Sequence, residues 1–356
     1  MKAWTADLPA MPNPKALAAL VAGAFLFLLL LFPATTSLPV HALQGHTMGT
    51  TWSLQLALPT SESPDPVLAG AIAARLEHLD RAIFSTWTPD SELMQLNVAI
   101  PGVARAVSVE LGQVLALASS IHALSEGAFD PTVGPLVRLW GFGVDQTGDN
   151  MPSDTDIALA QEQTGMDALV LDGNSGTATP GRNIELDLSG IAKGYAADDL
   201  ARLLEGFGYD NYIFEVGGEL RVSGAGPDGD GWTLAMEKPG QGERSAMAAI
   251  SSEGQTFALA ASGDYRNFRI MDGQRYSHEI DPVTGRPVTH NLAAVTVLAS
   301  QAAIADAWAT ALMVLGPEKG LLLAEKNSVA AYFIMHEGDG FRTRASTDMQ
   351  ARYPDL

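Results

Sequence analysis

The chain has 356 residues, 47% of them hydrophobic, enough for one large domain or two ordinary ones around a sizeable core. Its formal net charge of -20, with no run of Lys or Arg, argues against nucleic acid as a ligand. The absence of cysteine excludes disulfides, thiolate catalysis, Cys-based zinc sites and a lipid anchor on an N-terminal Cys.

Residues 16–32, ALAALVAGAFLFLLLLF, form an uncharged apolar run preceded by Lys2 and Lys15 and ended by Pro33. Its length lies between a secretory h-region and a spanning helix. Val40-His41-Ala42 loosely resembles a small-x-small cleavage site. Residues 1–42 are therefore read as a signal peptide or retained membrane anchor, and 43–356 as the exported body, facing the periplasm or cell exterior.

Thr51 to Leu58 alternates and predicts a strand, entered through His46-Thr47-Met48-Gly49-Thr50. There Met48 serves either as core or as a surface against a flat ring. Leu68, Ile72, Leu76, Leu79 and Ile83 share one helix face. The turn-rich stretch from Phe84 to Glu92 follows, closed by Leu93, Leu96 and Asn97, and it offers Trp87 for stacking or for the core. Ser108 predicts the cap of a helix running to Ser125. Gly127-Ala128-Phe129-Asp130-Pro131-Thr132-Val133-Gly134-Pro135 reads as a rigid loop continuing through Trp140-Gly141-Phe142-Gly143, with Asp130 held extended before proline. An acidic surface excursion (145–156), a short helix (156–164) and a strand (168–172) come next.

Ile184 to Leu188 predicts a strand that delivers Asp187 into a Ser189-Gly190 turn, with Ser189 capping a helix from Ile191 to Phe207. A strand, glycine turn and helix N-terminus in that order suit an anion. Lys193 in the first turn opposes the helix dipole, so it either faces an anion or is solvated. Tyr212 to Val222 reads as strand, Gly-Gly break, strand, followed by strands over 232–237 and 257–261. Tyr276 to Pro287 places His278 and Asp281 near a loop tip, and histidine suits general-base work, although a lone His is often structural.

Leu292 to Leu298 predicts a strand feeding a buried helix over 298–316. Ser300 is its expected N-cap, Gly316 its expected end and Pro317 the residue beyond. On its apolar background, Asp306 and Thr310 lie four apart and stack on one face. A carboxylate and a hydroxyl so placed either suit a hard cation such as Mg²⁺ or are hydrogen-bonded within the protein.

Taken in order and spacing, these motifs resemble the ApbE family of flavin transferases over about residues 45–335. The matching segments are Met48-Gly49-Thr50, Ser85-x-Trp87, Ser91-Glu92, Leu96-Asn97, Gly127 to Thr132, Asp187 to Tyr195, Glu215-Val216-Gly217-Gly218, Ser262-Gly263-Asp264-Tyr265, Ser277-His278-x-Ile280-Asp281-Pro282-x-Thr284-Gly285 and Ala305 to Ala311. The resemblance implies an α+β fold of mixed, largely antiparallel sheets with packed helices, an ApbE-like (T-fold-like) architecture. It implies FAD as substrate, Mg²⁺ as cofactor, and transfer of FMN to a threonine hydroxyl of an acceptor protein, an electron-transfer subunit, with release of AMP. Met48, Trp87, Ala128, Phe129, Asp130, Asp187, Lys193 and Ile280 match FAD-contacting positions. Gly190 through its carbonyl, Asp306 and Thr310 match metal ligands, and Ala309 stands where the family also has an acidic residue. His278 matches the proposed base. An Mg²⁺-dependent FAD pyrophosphatase and a flavin carrier without turnover are the rival readings.

Overall fold

Hydrogen-bond pairing explains the architecture. In a computed structural model, which describes residues 37–143, 151–240, 245–264, 268–271 and 274–356, eight strands form one antiparallel sheet whose spatial order follows the chain. They are β1 (Val40–Thr47), β2 (Thr50–Ala57), β3 (Tyr212–Val216), β4 (Glu219–Ser223), β5 (Phe257–Gly263), β6 (Leu292–Ala299), β7 (Ala330–Glu337) and β8 (Gly340–Ala345). The apolar run 16–32, the acidic residues 145–150, and Tyr265 with Arg266 lie outside the described residues. Val40, His41 and Ala42 pair with Ala57, Leu56 and Gln55, so the folded body begins ahead of the boundary read from sequence.

Alternation along the strands buries both faces. Phe214, Ala258, Ala260, Val295, Val297 and Phe333 face one layer; Ile213, Leu259, Leu298, Tyr332 and Ile334 face the other. Helices α1 (Leu68–Glu77), α2 (Val109–Leu124), α3 (Ala192–Gly206) and α4 (Ala302–Lys326) supply the first layer. A hairpin, Thr233–Glu237 with Ala246–Ser251, and the short helix Thr347–Arg352 supply the second. Each fully buried Phe or Leu contributes about 1.5–3 kcal/mol. Phe214 at the sheet centre is one of these. The result is an α+β fold with largely antiparallel sheets.

Several local expectations change. The helix beginning at Leu68 passes into a π-helical stretch, His78–Phe84, with the expected apolar face intact. The glycine- and proline-rich loop after Asp130 contains a short helix, Gly134–Leu139, and buries Trp140. The helix expected over 156–164 spans Asp154–Gln161, because Ser153 and Asp156 form a capping box. Ile184 to Leu188 is extended but not a ladder strand. Glu185 makes a single bridge to Val133, and the Asn97 side-chain amide both donates to the Leu186 carbonyl and accepts from its N–H. A side chain thus satisfies the backbone that a neighbouring strand would have paired. Gly316 does break the α-helical dihedrals (φ 77°), yet Pro317 starts a further helical segment and α4 runs on to Lys326. A Cβ at Gly316 would lie 2.6 Å from the His290 ring, so the break is also a packing requirement.

Candidate active site

The helix layer and the sheet leave a cleft of about 1040 Å³ between them. Met48, Trp87, Ala128, Phe129, Asp130, Asp187, Gly190, Lys193, His278, Ile280, Asp306 and Thr310 all line it. Ala309 does not; it is fully buried, and its methyl side chain brings no ligand atom.

Met48 reaches the cleft through a two-residue β1–β2 turn. Met48 (φ 47°) and Gly49 (φ 70°) both take the left-handed region, the geometry a tight hairpin of this twist demands. The Met48 N–H donates to Asp80 Oδ2 at 2.9 Å. Asp80 sits in the π-helical stretch and also lines the cleft. Such stretches recur at functional sites. Trp87 is 67% exposed, so its ring is a free stacking surface and not core. Asp130 and Asp187 each fix their own turn: Asp130 Oδ1 accepts from the Thr132 N–H at 2.8 Å, and Asp187 Oδ1 from the Ser189 N–H at 2.8 Å.

Neither central helix uses the cap read from sequence. Ser189 does not cap α3; Ile191 occupies that position without a side-chain bond. The Gly194 N–H in its first turn donates instead to Asp306 Oδ2 of α4, at 3.0 Å. Ser300 does not cap α4; Gln301 stands there, also without a side-chain bond. The Ala302 and Ala303 N–H groups donate to Asp198 of α3, at 2.8 and 2.9 Å. Each helix is therefore capped by a carboxylate of the other. Gly194 permits the approach, since a Cβ there would stand 2.4 Å from the Ala302 carbonyl oxygen.

Charge is concentrated in the same wall. Lys193 Nζ lies 3.3 Å from Glu219 Oε1 and donates to the Ser189 carbonyl at 3.1 Å. Burial alone would pull its pKa down, but the surrounding Asp306, Glu219 and Glu279 carboxylates outweigh burial and hold it above the usual lysine range. Burial pushes the pKa values of Glu219, Glu279 and Asp306 up. Lys193 is thus neither simply solvated nor alone: the anions it faces here are the protein's own carboxylates. Glu219 Oε2 is buried and finds no hydrogen-bond partner among the described residues. His278 Nε2 lies 3.5 Å from Glu279 Oε1, and the Phe142 ring meets the imidazole edge-on at 6.3 Å. Glu219, Glu279 and Asp80 were not singled out from sequence. Glu219 directly follows the Gly217-Gly218 turn, and its place beside that turn is the local signal the sequence offered; its burial appears only in the fold.

The oxygen-rich corner tests whether a cation fits. Among the described residues no group of three or more His, Asp or Glu side chains is arranged around a metal. The expected donors, one carboxylate, one hydroxyl and one backbone carbonyl, are of another kind, and all are oxygens suited to a hard cation. Gly190 and Thr310 do meet: a Cβ on Gly190 would stand 2.9 Å from Thr310 Oγ1 and 3.3 Å from the Phe129 ring. Only glycine lets the turn close on α4 beside Asp306. The residues fit such an ion.

Fold and site together define an α+β ligand-binding protein whose cleft offers both ring-stacking surfaces and a wall of lysine, carboxylate and hydroxyl groups. A model of the ApbE family matches residues 48–333. The FAD:protein FMN transferase of Klebsiella pneumoniae is 40% identical over 314 residues, covering 87% of this chain and 89% of that protein. The enzyme of the same name from Escherichia coli K12 is 38% identical, covering 90% and 91%. Among solved structures, the Pseudomonas stutzeri flavinyl transferase ApbE in its apo form superposes with a TM-score of 0.80 at 38% identity, covering 89% of this chain and 98% of that one. The flavin transferase ApbE from Vibrio cholerae gives 0.79 at 37%, covering 88% and 100%. The chain belongs to the ApbE family.

Proposed function

We propose that the protein transfers FMN from FAD to a threonine hydroxyl of an acceptor protein and releases AMP. The observation that carries this reading is one cleft joining a free tryptophan face, Met48, the Lys193 ammonium and the Asp306–Thr310 pair in a chain 40% identical to an enzyme named for that transfer. The exposed Trp87 ring and Met48 suit the flat rings of FAD. Lys193, at the first turn of α3, suits the pyrophosphate anion and tolerates its charge in an otherwise acidic protein. The acceptor oxygen attacks the FMN-side phosphorus, the bond from that phosphorus to the bridging oxygen breaks, and AMP leaves with that oxygen. A threonine hydroxyl is a weak nucleophile, so its proton passes to a base; His278 lines the cleft and takes that role. Asp306, Thr310 and the Gly190 carbonyl would hold Mg²⁺, which supplies charge neutralisation at the phosphates when bound. The apolar run 16–32 supports export, with the body facing the periplasm and membrane association through that segment; no helix of the described residues is long and apolar enough to cross a membrane.

Incubating the protein with FAD, Mg²⁺ and a threonine-bearing acceptor from a flavin-carrying electron-transfer subunit separates the readings. Covalent flavin fluorescence on the acceptor with AMP release is the expected outcome. Free FMN with AMP and an unlabelled acceptor would mark a pyrophosphatase, and intact FAD a carrier.

A further inference from the structure

We infer that Asp198, which does not touch the cleft, is a positioning residue for the cation-binding wall; this rests on the proposed reading of Asp306 and Thr310. Asp198 is 6% exposed, and both its carboxylate oxygens are committed to backbone N–H groups at the start of α4, Oδ1 to Ala302 and Oδ2 to Ala303. Arg221 of β4 braces the same point: its Nε stands 3.5 Å from Asp198 Oδ1, and its Nη1 donates to the Ser300 carbonyl just before the helix. Strand, helix and helix start thus meet at one carboxylate.

The consequence falls on Asp306, one turn further along α4. Its Oδ2 is held by the Gly194 N–H of α3. Two ties, Asp198 to the start of α4 and Asp306 back to the start of α3, fix both the translation and the rotation of α4 against α3. They leave Asp306 Oδ1 and Thr310 in a set relation to the Gly190 turn, which itself directly precedes α3. A local Ser or Thr cap would satisfy the same N–H groups but would tie α4 to nothing. The non-local cap makes the geometry of the oxygen donors depend on a residue outside the cleft, as outer supports of metal ligands do.

The test uses Asp198→Asn in the full chain, with Arg221→Lys as the milder second variant. Mg²⁺ binding is measured by calorimetry without FAD, FAD binding by flavin fluorescence, and turnover as a function of Mg²⁺. Asp198→Asn is expected to weaken Mg²⁺ binding about 10–100-fold, to leave FAD affinity in saturating Mg²⁺ unchanged, and to recover turnover as Mg²⁺ is raised. Arg221→Lys is expected to move Mg²⁺ affinity in the same direction by a smaller factor. A lowered melting temperature with wild-type Mg²⁺ affinity per folded molecule overturns the inference. If Asp198→Asn does not fold, unchanged Mg²⁺ affinity in Arg221→Lys overturns it equally. Wild-type protein that binds Mg²⁺ but leaves FAD and acceptor unchanged would sink the proposed reaction while leaving the positioning role open to the calorimetric readout.

Discussion

The peripheral helices and the central pair solve the same problem in opposite ways. Ser91, Ser108, Ser153 and Ser346 each cap their own helix, accepting from the N–H three residues on. The central helices α3 and α4 carry no such cap and exchange carboxylates instead. A local cap stabilises one helix and nothing else. An exchanged cap stabilises two helices only while they stay in register, so it converts helix-end energetics into the relative placement of two elements. Among the described residues, the reciprocal exchange lies where Asp306, Thr310, Gly190 and Lys193 line one cleft.

Breaking that wall has the largest expected effect. Asp306→Ala removes a cleft carboxylate and the Gly194 partner together; with the proposed cation it would remove several kcal/mol of transition-state stabilisation, so turnover is expected to fall by about a thousandfold or more. AMP release assayed with and without EDTA checks this; EDTA-resistant turnover at the wild-type rate would oppose it. Asp198→Ala strands two buried N–H groups and is expected to cost about 2–4 kcal/mol in denaturant unfolding. Ser108→Ala, the peripheral counterpart, is expected to cost about 1 kcal/mol, seen as a fall of about 2–4 °C in melting temperature, with turnover per folded molecule unchanged. Equal costs at Asp198 and Ser108 would erase the distinction between the two kinds of cap.

The same contrast sets what was legible in the sequence. Ser108 announces its helix because a serine cap is a local signal, and the Gly217-Gly218 break announces the β3–β4 hairpin for the same reason. Asp306 and Thr310 were legible as a pair on one helix face, and the structure does bring both to the cleft. Asp198 was not legible, because its partners lie more than a hundred positions away and nothing nearby marks it as a cap. Ile184 to Leu188 looked like a strand because apolar alternation does not reveal whether a neighbouring strand exists; here Asn97 stands in for one. Gly316 and Pro317 looked like a helix end because both residues break helices locally, whereas packing against His290 and the sheet carries the chain on in helical form. Glu219 and Glu279 escaped notice because a carboxylate's burial is a property of the assembled cleft.

In the proposed reaction this cleft, with its own His278, joins flavin to protein. Wild-type protein and His278→Ala, each given FAD, Mg²⁺ and the acceptor, test it by covalent flavin fluorescence after denaturing electrophoresis, with FAD binding measured in parallel. A labelled acceptor is expected with the wild type, and with His278→Ala an unlabelled acceptor despite undiminished FAD binding. Labelling by His278→Ala at the wild-type rate would contradict it.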